Sequence, residues 1–358
     1  MADDTDPLLA ALEAAVPVGP QYPTHLLSLA EVAIGKKQPK RAAEIALRAL
    51  KHGGGDPATQ ARGHRLLASL LPGYHIAMMN DARRNTAWDA ALRAAIRPGM
   101  HILEIGTGAG MLALMAARAG AAKVVTCEKD PVAAALARDL VARNGYDDRI
   151  VVIDKSSHEL AVGVDLDRPA DLLFCDIFGD KLLDFDPLPA LADARQRLLA
   201  PGAPVMPARG MLRVALAHWD NYWRAMHIDS AAGFDLAPLA DFAVRTLAVD
   251  IGDPTIRLLS HPQNVLAFDF AAASHPESGR GVARTEGTAA GEANGIARWI
   301  RLELDGRIAL EACPEPGAVF FSRLNFCPLP KPAMVEAGRE FRIEAAFRGK
   351  QVETWLGA

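Results

Sequence analysis

HILEIGTGAGMLALMAARAG, His101 to Gly120, joins an apolar run of strand length to a helical run through glycines at three alternate positions. Glycine there permits a tight strand-to-helix turn and lets a ligand approach the backbone. Outward from it the same alternation continues: KVVTCE (Lys123–Glu128), PVAAALARDLVARNG (Pro131–Gly145), RIVVID (Arg149–Asp154), DLLFCD (Asp171–Asp176), ADARQRLLA (Ala192–Ala200) and APVMP (Ala203–Pro207). Short apolar runs alternating with helices predict an α/β, doubly wound parallel sheet over 73–208. VVTC and LLFC lack polar alternation, as strands covered on both faces require.

The flanks read differently. HLLSLAEVAIGKKQPKRAAEIALRAL, a GGGDP break and ATQARGHRLLASLL give two amphipathic helices and a third, a helical cap over 1–72. Ala30 and Ala33, and Ala43 and Ala46, are small residues at helical spacing, and the pair resembles a fragment of a tetratricopeptide array. Beyond Arg209, period-two runs such as MLRVALAHW, NVLAFDFAA and ARWIRLELD predict an antiparallel β-barrel or sandwich over 209–358. Within it, His275–Gly295 reads as a mobile connection.

Composition limits the function. The 358 residues are 50% hydrophobic and 23% charged, enough for roughly two domains at about 150 residues each. Lys and Arg number 39 against 43 Asp and Glu, a net charge of -4, so no global positive field is available for nucleic acid. Cys127, Cys175, Cys313 and Cys327 form no C-x-x-C pair, which argues against a metal site or a disulfide framework. The acidic start MADDTDPLLAALEAA lacks the basic region of a signal peptide, and no run reaches about 18 apolar residues. The expectation is a soluble cytoplasmic protein with no membrane partner.

In a dinucleotide fingerprint the third glycine falls one residue later than Gly110. Glu104, two residues before Gly106, together with Gly106, Gly108 and Gly110, instead resembles motif I of class I S-adenosylmethionine-dependent methyltransferases. Glu128, closing the next strand, stands where ribose hydroxyls are bound. The loop Asp154–Glu159, with Ser157 and His158, would border the adenine.

Tyr74–Asn85, YHIAMMNDARRN, resembles the H-x-x-M-[LM]-x-D-x-x-R helix of protein arginine methyltransferases. Arg143–Tyr146, Ile153–Leu160 and Asp176–Leu182 extend the similarity to KNGF, INKHSTEV and ELFDTEL of the monomethylating type III branch. The resemblance covers Gly73–Pro207 well and the remainder loosely. It implies S-adenosyl-L-methionine as cofactor, with Arg84 on its carboxylate, His75 and Met78 against its methionyl end, and Gly106 and Glu128 on the nucleoside. A guanidinium fork matches a carboxylate bidentately.

The same resemblance implies two acceptor-gripping glutamates after the fourth strand. The first falls on Asp176 and the second on Phe185, so only Asp184 or Asp186 could replace the second carboxylate. The family's threonine-histidine-tryptophan loop falls near Gly317–Ser322, with Val319 at the histidine position and Phe320 at the tryptophan position, leaving Asp81 without its usual partner. The acceptor stays open: arginine, a small molecule, or a peptide group other than guanidinium. A non-catalytic binding protein is the third reading. Homodimerisation is expected through an arm at Trp219–Phe242, with Tyr222, Trp223 and Met226 exposed.

Overall fold

Five strands, β1 (His101–Ile105), β2 (Lys123–Cys127), β3 (Ile150–Ile153), β4 (Leu172–Cys175) and β5 (Val205–Met206), form a sheet in the order β3-β2-β1-β4-β5. Every pairing is parallel. The computed structural model describes residues 6–222, 228–315 and 322–358. β4 is buried at all four residues, because helices cover both faces. The strand order reverses between β1 and β4, and open α/β sheets bind ligands beyond the carboxyl ends at such a point.

The chain enters through α1 (Pro7–Ala14), α2 (Tyr22–Gly35), α3 (Pro39–His52) and α4 (Pro57–Leu70). Leu26, Ala30 and Ala33 of α2 pack with Ala42, Ile45, Ala46 and Ala49 of α3 and Leu66 of α4 in an apolar core of their own. Next come α5 (Tyr74–Asn80) and α6 (Ala82–Ala95). They are separate helices because Asp81 interrupts the run: its Oδ1 accepts the Arg84 amide at 2.9 Å and caps α6. Within the sheet domain follow α7 (Met111–Arg118), α8 (Pro131–Arg143), against which α3 rests, and α9 (Pro187–Arg197). α9 begins five residues before the helix read from sequence, with Pro187 in its first turn, where a missing N–H costs nothing.

The remaining chain is antiparallel. β6 (Arg209–Trp219) pairs with Gly291–Glu303, Ile256–Leu258 and Gln263–Asp269 in a seven-stranded sheet. Ser278–Glu286, Glu340–Arg348 and Gln351–Leu356 make a three-stranded one. Phe268 and Phe347 meet across the two at 5.2 Å. The β-region is therefore a sandwich of separately hydrogen-bonded sheets, touching at the bridge Ser260–Gly287, and not a closed barrel among the described residues.

His275–Gly295 is corrected as well: it contains a nine-residue strand, Ser278–Glu286, and the start of Gly291–Glu303. Its glycines mark close crossing, since a Cβ on Gly281 would collide with the Val265 carbonyl. One apolar core runs from Trp88 and the parallel sheet into Trp299, Phe326 and Ile343 of the sandwich. Phe178 stacks on Phe270 at 4.8 Å where the two regions join.

Candidate active site

β1 runs into Gly106 (φ 81°), Gly108 (φ 53°) and Gly110 (φ 84°), all in the left-handed region. Gly106 has a second reason to be glycine, since a Cβ would meet the Ile177 side chain. The turn is fastened to the end of β2: the Gly106 and Thr107 amides donate to the Cys127 carbonyl at 3.0 and 3.1 Å. The Gly108 amide donates to Glu128 Oε2 at 3.0 Å, and the Asp130 amide to Glu128 Oε1 at 2.9 Å. Glu128 thus holds the loop from beneath, and each of its oxygens retains a second lone pair.

His75 packs over the same turn, its ring 3.3 Å from where a Cβ on Gly108 would stand. Tyr74 stacks on the imidazole with centroids 4.4 Å apart. The His75 side chain is buried, and its Nδ1 has no hydrogen-bond partner among the described residues. Burial pushes its pKa below the ordinary imidazole value, with Glu128 opposing. Met78 lies half-buried one turn along α5.

Glu104 is 1% exposed in the middle of the sheet, opposite Thr126 in the β1–β2 register. Thr126 Oγ1 donates to Glu104 Oε2 at 2.5 Å, and the Thr107 and Thr126 hydroxyls are hydrogen-bonded to each other. Burial raises the carboxyl to about 8, helped by Glu128 and opposed by the two threonines and Arg84. Glu104 is accordingly protonated at neutral pH and ties the glycine turn to β2. Burial also raises the neighbouring thiols, Cys127 to about 12 and Cys175 further, so neither is a nucleophile.

Asp176, the expected acceptor-side carboxylate, lies just past β4. Arg84 donates to its Oδ2 from Nε at 2.7 Å and from Nη2 at 2.5 Å, and the guanidinium is almost completely buried. Arg84 Nη1 donates to Asn85 Oδ1 at 2.9 Å, while Asn85 Nδ2 holds the Met79 carbonyl at 2.8 Å. Arg84, expected to serve a cofactor carboxylate alone, is therefore also bound to the expected acceptor carboxylate. Asp176 lines a small cavity of about 10 Å³, room for about one water, whose other walls are Phe178, Ile300, Leu302, Leu310, Ala312 and Ser322.

Asp184 and Asp186 do not join Asp176 there. Asp184 folds back over Gly179 and accepts the Lys181 amide at 2.9 Å, locking its own loop. Asp186, just before α9 with φ 54°, makes no side-chain bond to the helix end and pairs with Lys350 at 2.6 Å. Phe185 is exposed between them. The missing second carboxylate is thus unreplaced by either neighbour, because each is already committed to the loop or to the sandwich. Asp81 is a buried helix cap. His158 turns to Asp193 on α9 at 3.2 Å and is half exposed, whereas the Ser157 carbonyl accepts from Arg197 at 3.2 Å. Val319 and Phe320 lie outside the described residues.

Sequence reading missed Thr107, Thr126, Asn85 and Ser322. Thr126 was accessible from strand register, which sets it opposite Glu104; Ser322 ends the stretch Gly317–Ser322 already marked by the resemblance, but only tertiary packing brings it to Asp176. No helix among the described residues is long and apolar enough to cross a membrane.

The model of the ribosomal protein L11 methyltransferase (PrmA) family matches residues 90–206. An arginine N(omega)-methyltransferase of Streptomyces achromogenes subsp. streptozoticus is 35% identical over 278 residues, 77% of this chain and 76% of that protein. The chain belongs to the arginine methyltransferase family. It is accordingly an S-adenosylmethionine-dependent methyltransferase. The protein arginine N-methyltransferase 7 of Oryza sativa subsp. indica is 32% identical over 69% of this chain, which spans only 36% of that larger protein. Among solved structures, a Trypanosoma brucei PRMT1 enzyme–prozyme heterotetrameric complex with AdoHcy superposes with TM-score 0.71 at 21% identity, over 80% of this chain and 93% of that one. Arabidopsis thaliana protein arginine methyltransferase 10 gives 0.64 at 19% identity, over 81% and 99%.

Proposed function

We propose that this methyltransferase modifies the guanidinium of arginine, with Asp176 as the acceptor-holding carboxylate. The observation that carries the reading is the Arg84–Asp176 pair: both of its bonds fall on Oδ2. Oδ1 is left on a side chain that lines the cavity. The glycine turn, Glu128 and the unpartnered Nδ1 of His75 suit a nucleoside and methionyl group laid across Gly106 and Gly108. The chemistry supplied by S-adenosylmethionine, when bound, is an electrophilic sulfonium methyl.

The chain's own work is then orientation. Arg84 keeps Asp176 fixed, and its guanidinium charge stands beside the place proposed for the cofactor carboxylate. Asp176 Oδ1 accepts an N–H of the acceptor, aims the neighbouring nitrogen at the methyl, and stabilises the positive charge spread over the product. The apolar walls Phe178, Ile300 and Leu302 exclude water, which strengthens that single contact. Ser157 and His158 belong to the adenine side of the site in this reading. Asp184, Asp186 and Asp81 act as supports of the loop and of α6.

Incubation with deuterated-methyl cofactor and either free L-arginine or an arginine-containing peptide tests the proposal by mass spectrometry of acid hydrolysates. Methylarginine in one arm is expected, and that arm distinguishes the free from the peptidyl acceptor. Absence from both, with cofactor product still binding, overturns it. A small non-guanidinium acceptor is the second reading, favoured by the one-carboxylate, otherwise apolar cavity.

We also propose the division 1–72, 73–208 and 209–358, a cytoplasmic setting, an acceptor other than nucleic acid, and a homodimer through 219–242. Trp223 and Met226 of that arm lie outside the described residues. Tyr222 is not exposed: it stacks on Trp219 at 6.1 Å. Support for the arm comes instead from Phe234 and Phe242, which are 70% and 85% exposed. Sedimentation as a monomer at micromolar concentration would remove this proposal.

A further inference from the structure

Four residues past Asp176, Asp180 makes two contacts with the sandwich. Its Oδ1 accepts the Arg323 amide at 2.8 Å, and its carbonyl accepts from Asn325 Nδ2 at 2.8 Å. Both partners sit at the start of the strand Leu324–Val335 or just before it, and Asn325 is 2% exposed. Arg323 directly follows Ser322, which forms a wall of the Asp176 cavity. The acceptor loop is therefore tied to the strand end that closes the opposite side of the cavity.

The tie is made with an unfavourable group. Burial, with Asp184 nearby, pushes the Asp180 carboxyl above its usual range, and the Arg323 amide opposes the shift. Asp180 is half-buried, and the charges of Arg323 and Lys181 also oppose the shift, without an ion pair to it among the described residues. On the inner side of the same loop Asp184 fixes the Lys181 amide, so the turn presenting Asp180 is itself rigid.

We propose that Asp180 is a positioning residue of the acceptor site, holding Ser322 in register with Asp176 through the Arg323 amide and Asn325. The proposal rests on the reading that Asp176 holds the acceptor. It differs from a general structural role in where the effect appears: acceptor KM changes, whereas cofactor affinity does not.

The test compares Asp180→Ala and Asp180→Asn in the full chain with Asp176→Asn run in parallel. Asp180→Ala is expected to raise the acceptor KM about tenfold, as loss of one charge-assisted bond does. Calorimetric affinity for S-adenosylhomocysteine should stay within twofold. Amide exchange at Arg323 should accelerate at least as much as the KM rises. Asp180→Asn keeps an oxygen acceptor and should restore both readouts most of the way.

Unchanged Arg323 exchange in Asp180→Ala, or a loss of S-adenosylhomocysteine affinity matching the rise in KM, overturns the proposal. Full turnover by Asp176→Asn overturns the underlying acceptor reading and this role with it. Inactive Asp176→Asn beside an unaltered Asp180→Ala overturns the positioning role alone.

Discussion

The proposed nucleotide half and the proposed acceptor half of the cleft are built on different principles. Around Gly106–Gly110 nearly every partner lies within one βαβ unit: Glu104, Thr107, Thr126 and Glu128 belong to β1, β2 and the turn joining β1 to α7. The acceptor half is assembled from distant pieces, Arg84 on α6, Asp176 past β4, Ser322 and Asn325 from the sandwich, separated in the chain by 92 residues for Arg84–Asp176 and 145 for Asp180–Asn325. Local construction tolerates few changes of residue type. Distributed construction lets a carboxylate be shortened or lost while the surroundings still close.

The boundary between the halves is Arg84, so its removal should have the largest effect. Arg84→Ala leaves Asp176 buried without its cation, which costs about 3–5 kcal/mol. A fall in melting temperature is expected together with loss of S-adenosylhomocysteine binding and of turnover. Undiminished binding by calorimetry would break the view that one side chain serves both halves.

Asp176→Asn should separate them. Turnover is expected to fall by a factor of about 10²–10⁴, the range of a lost charge-stabilising or proton-accepting group. S-adenosylhomocysteine affinity should remain within a few-fold. Glu128→Ala should do the reverse, weakening S-adenosylhomocysteine about 10- to 100-fold through lost charged hydrogen bonds worth about 1.5–3 kcal/mol. Equal losses of binding in the two variants would merge halves that are kept apart here.

Glu104 gives the local half a pH signature. Burial raises its folded carboxyl to about 8, against an ordinary glutamate value of 4.5. The folded state therefore holds a proton that the unfolded chain has released, and stability falls as pH rises between those values, by up to about 1.4 kcal/mol per unit. The contribution is fully present below the unfolded value and gone above about 8. Melting curves from pH 5 to 9 should show this slope in the parent and a flatter one in Glu104→Gln. The smallest effect belongs to Lys350→Ala. Its pair with Asp186 is about half exposed on both sides, so stability should change by less than about 1 kcal/mol and S-adenosylhomocysteine binding not at all.

Legibility in the sequence followed the same division. The strand ends Ile105, Cys127 and Cys175, the glycine turn, Glu104 and Glu128 were all readable, because period, glycine spacing and a strand-end acid are properties of neighbours in the chain. Asp176, Asp184 and Asp186 were all candidates on the same basis, yet only Asp176 lines the cavity. Asp184 turns back onto the Lys181 amide of its own loop, and Asp186 meets Lys350 of the sandwich, a partner the local sequence does not show. Glycine-rich Ser278–Glu286 read as a loop because the reason for its glycines, contact with the Val265 carbonyl, lies on another strand.

Hydrophobic period, glycine spacing and residue type were enough to specify the parallel sheet, the glycine turn and the charged residues available to the cleft. Tertiary structure alone decided which of those charges meet. Arg84 and Asp176 pair only because α6 packs beside β4, and Asp180 finds Arg323 only because the sandwich closes over the loop. Backbone periodicity is fixed by nearest neighbours, whereas the energy of a buried charge is set by whatever partner the whole fold brings within about 3 Å.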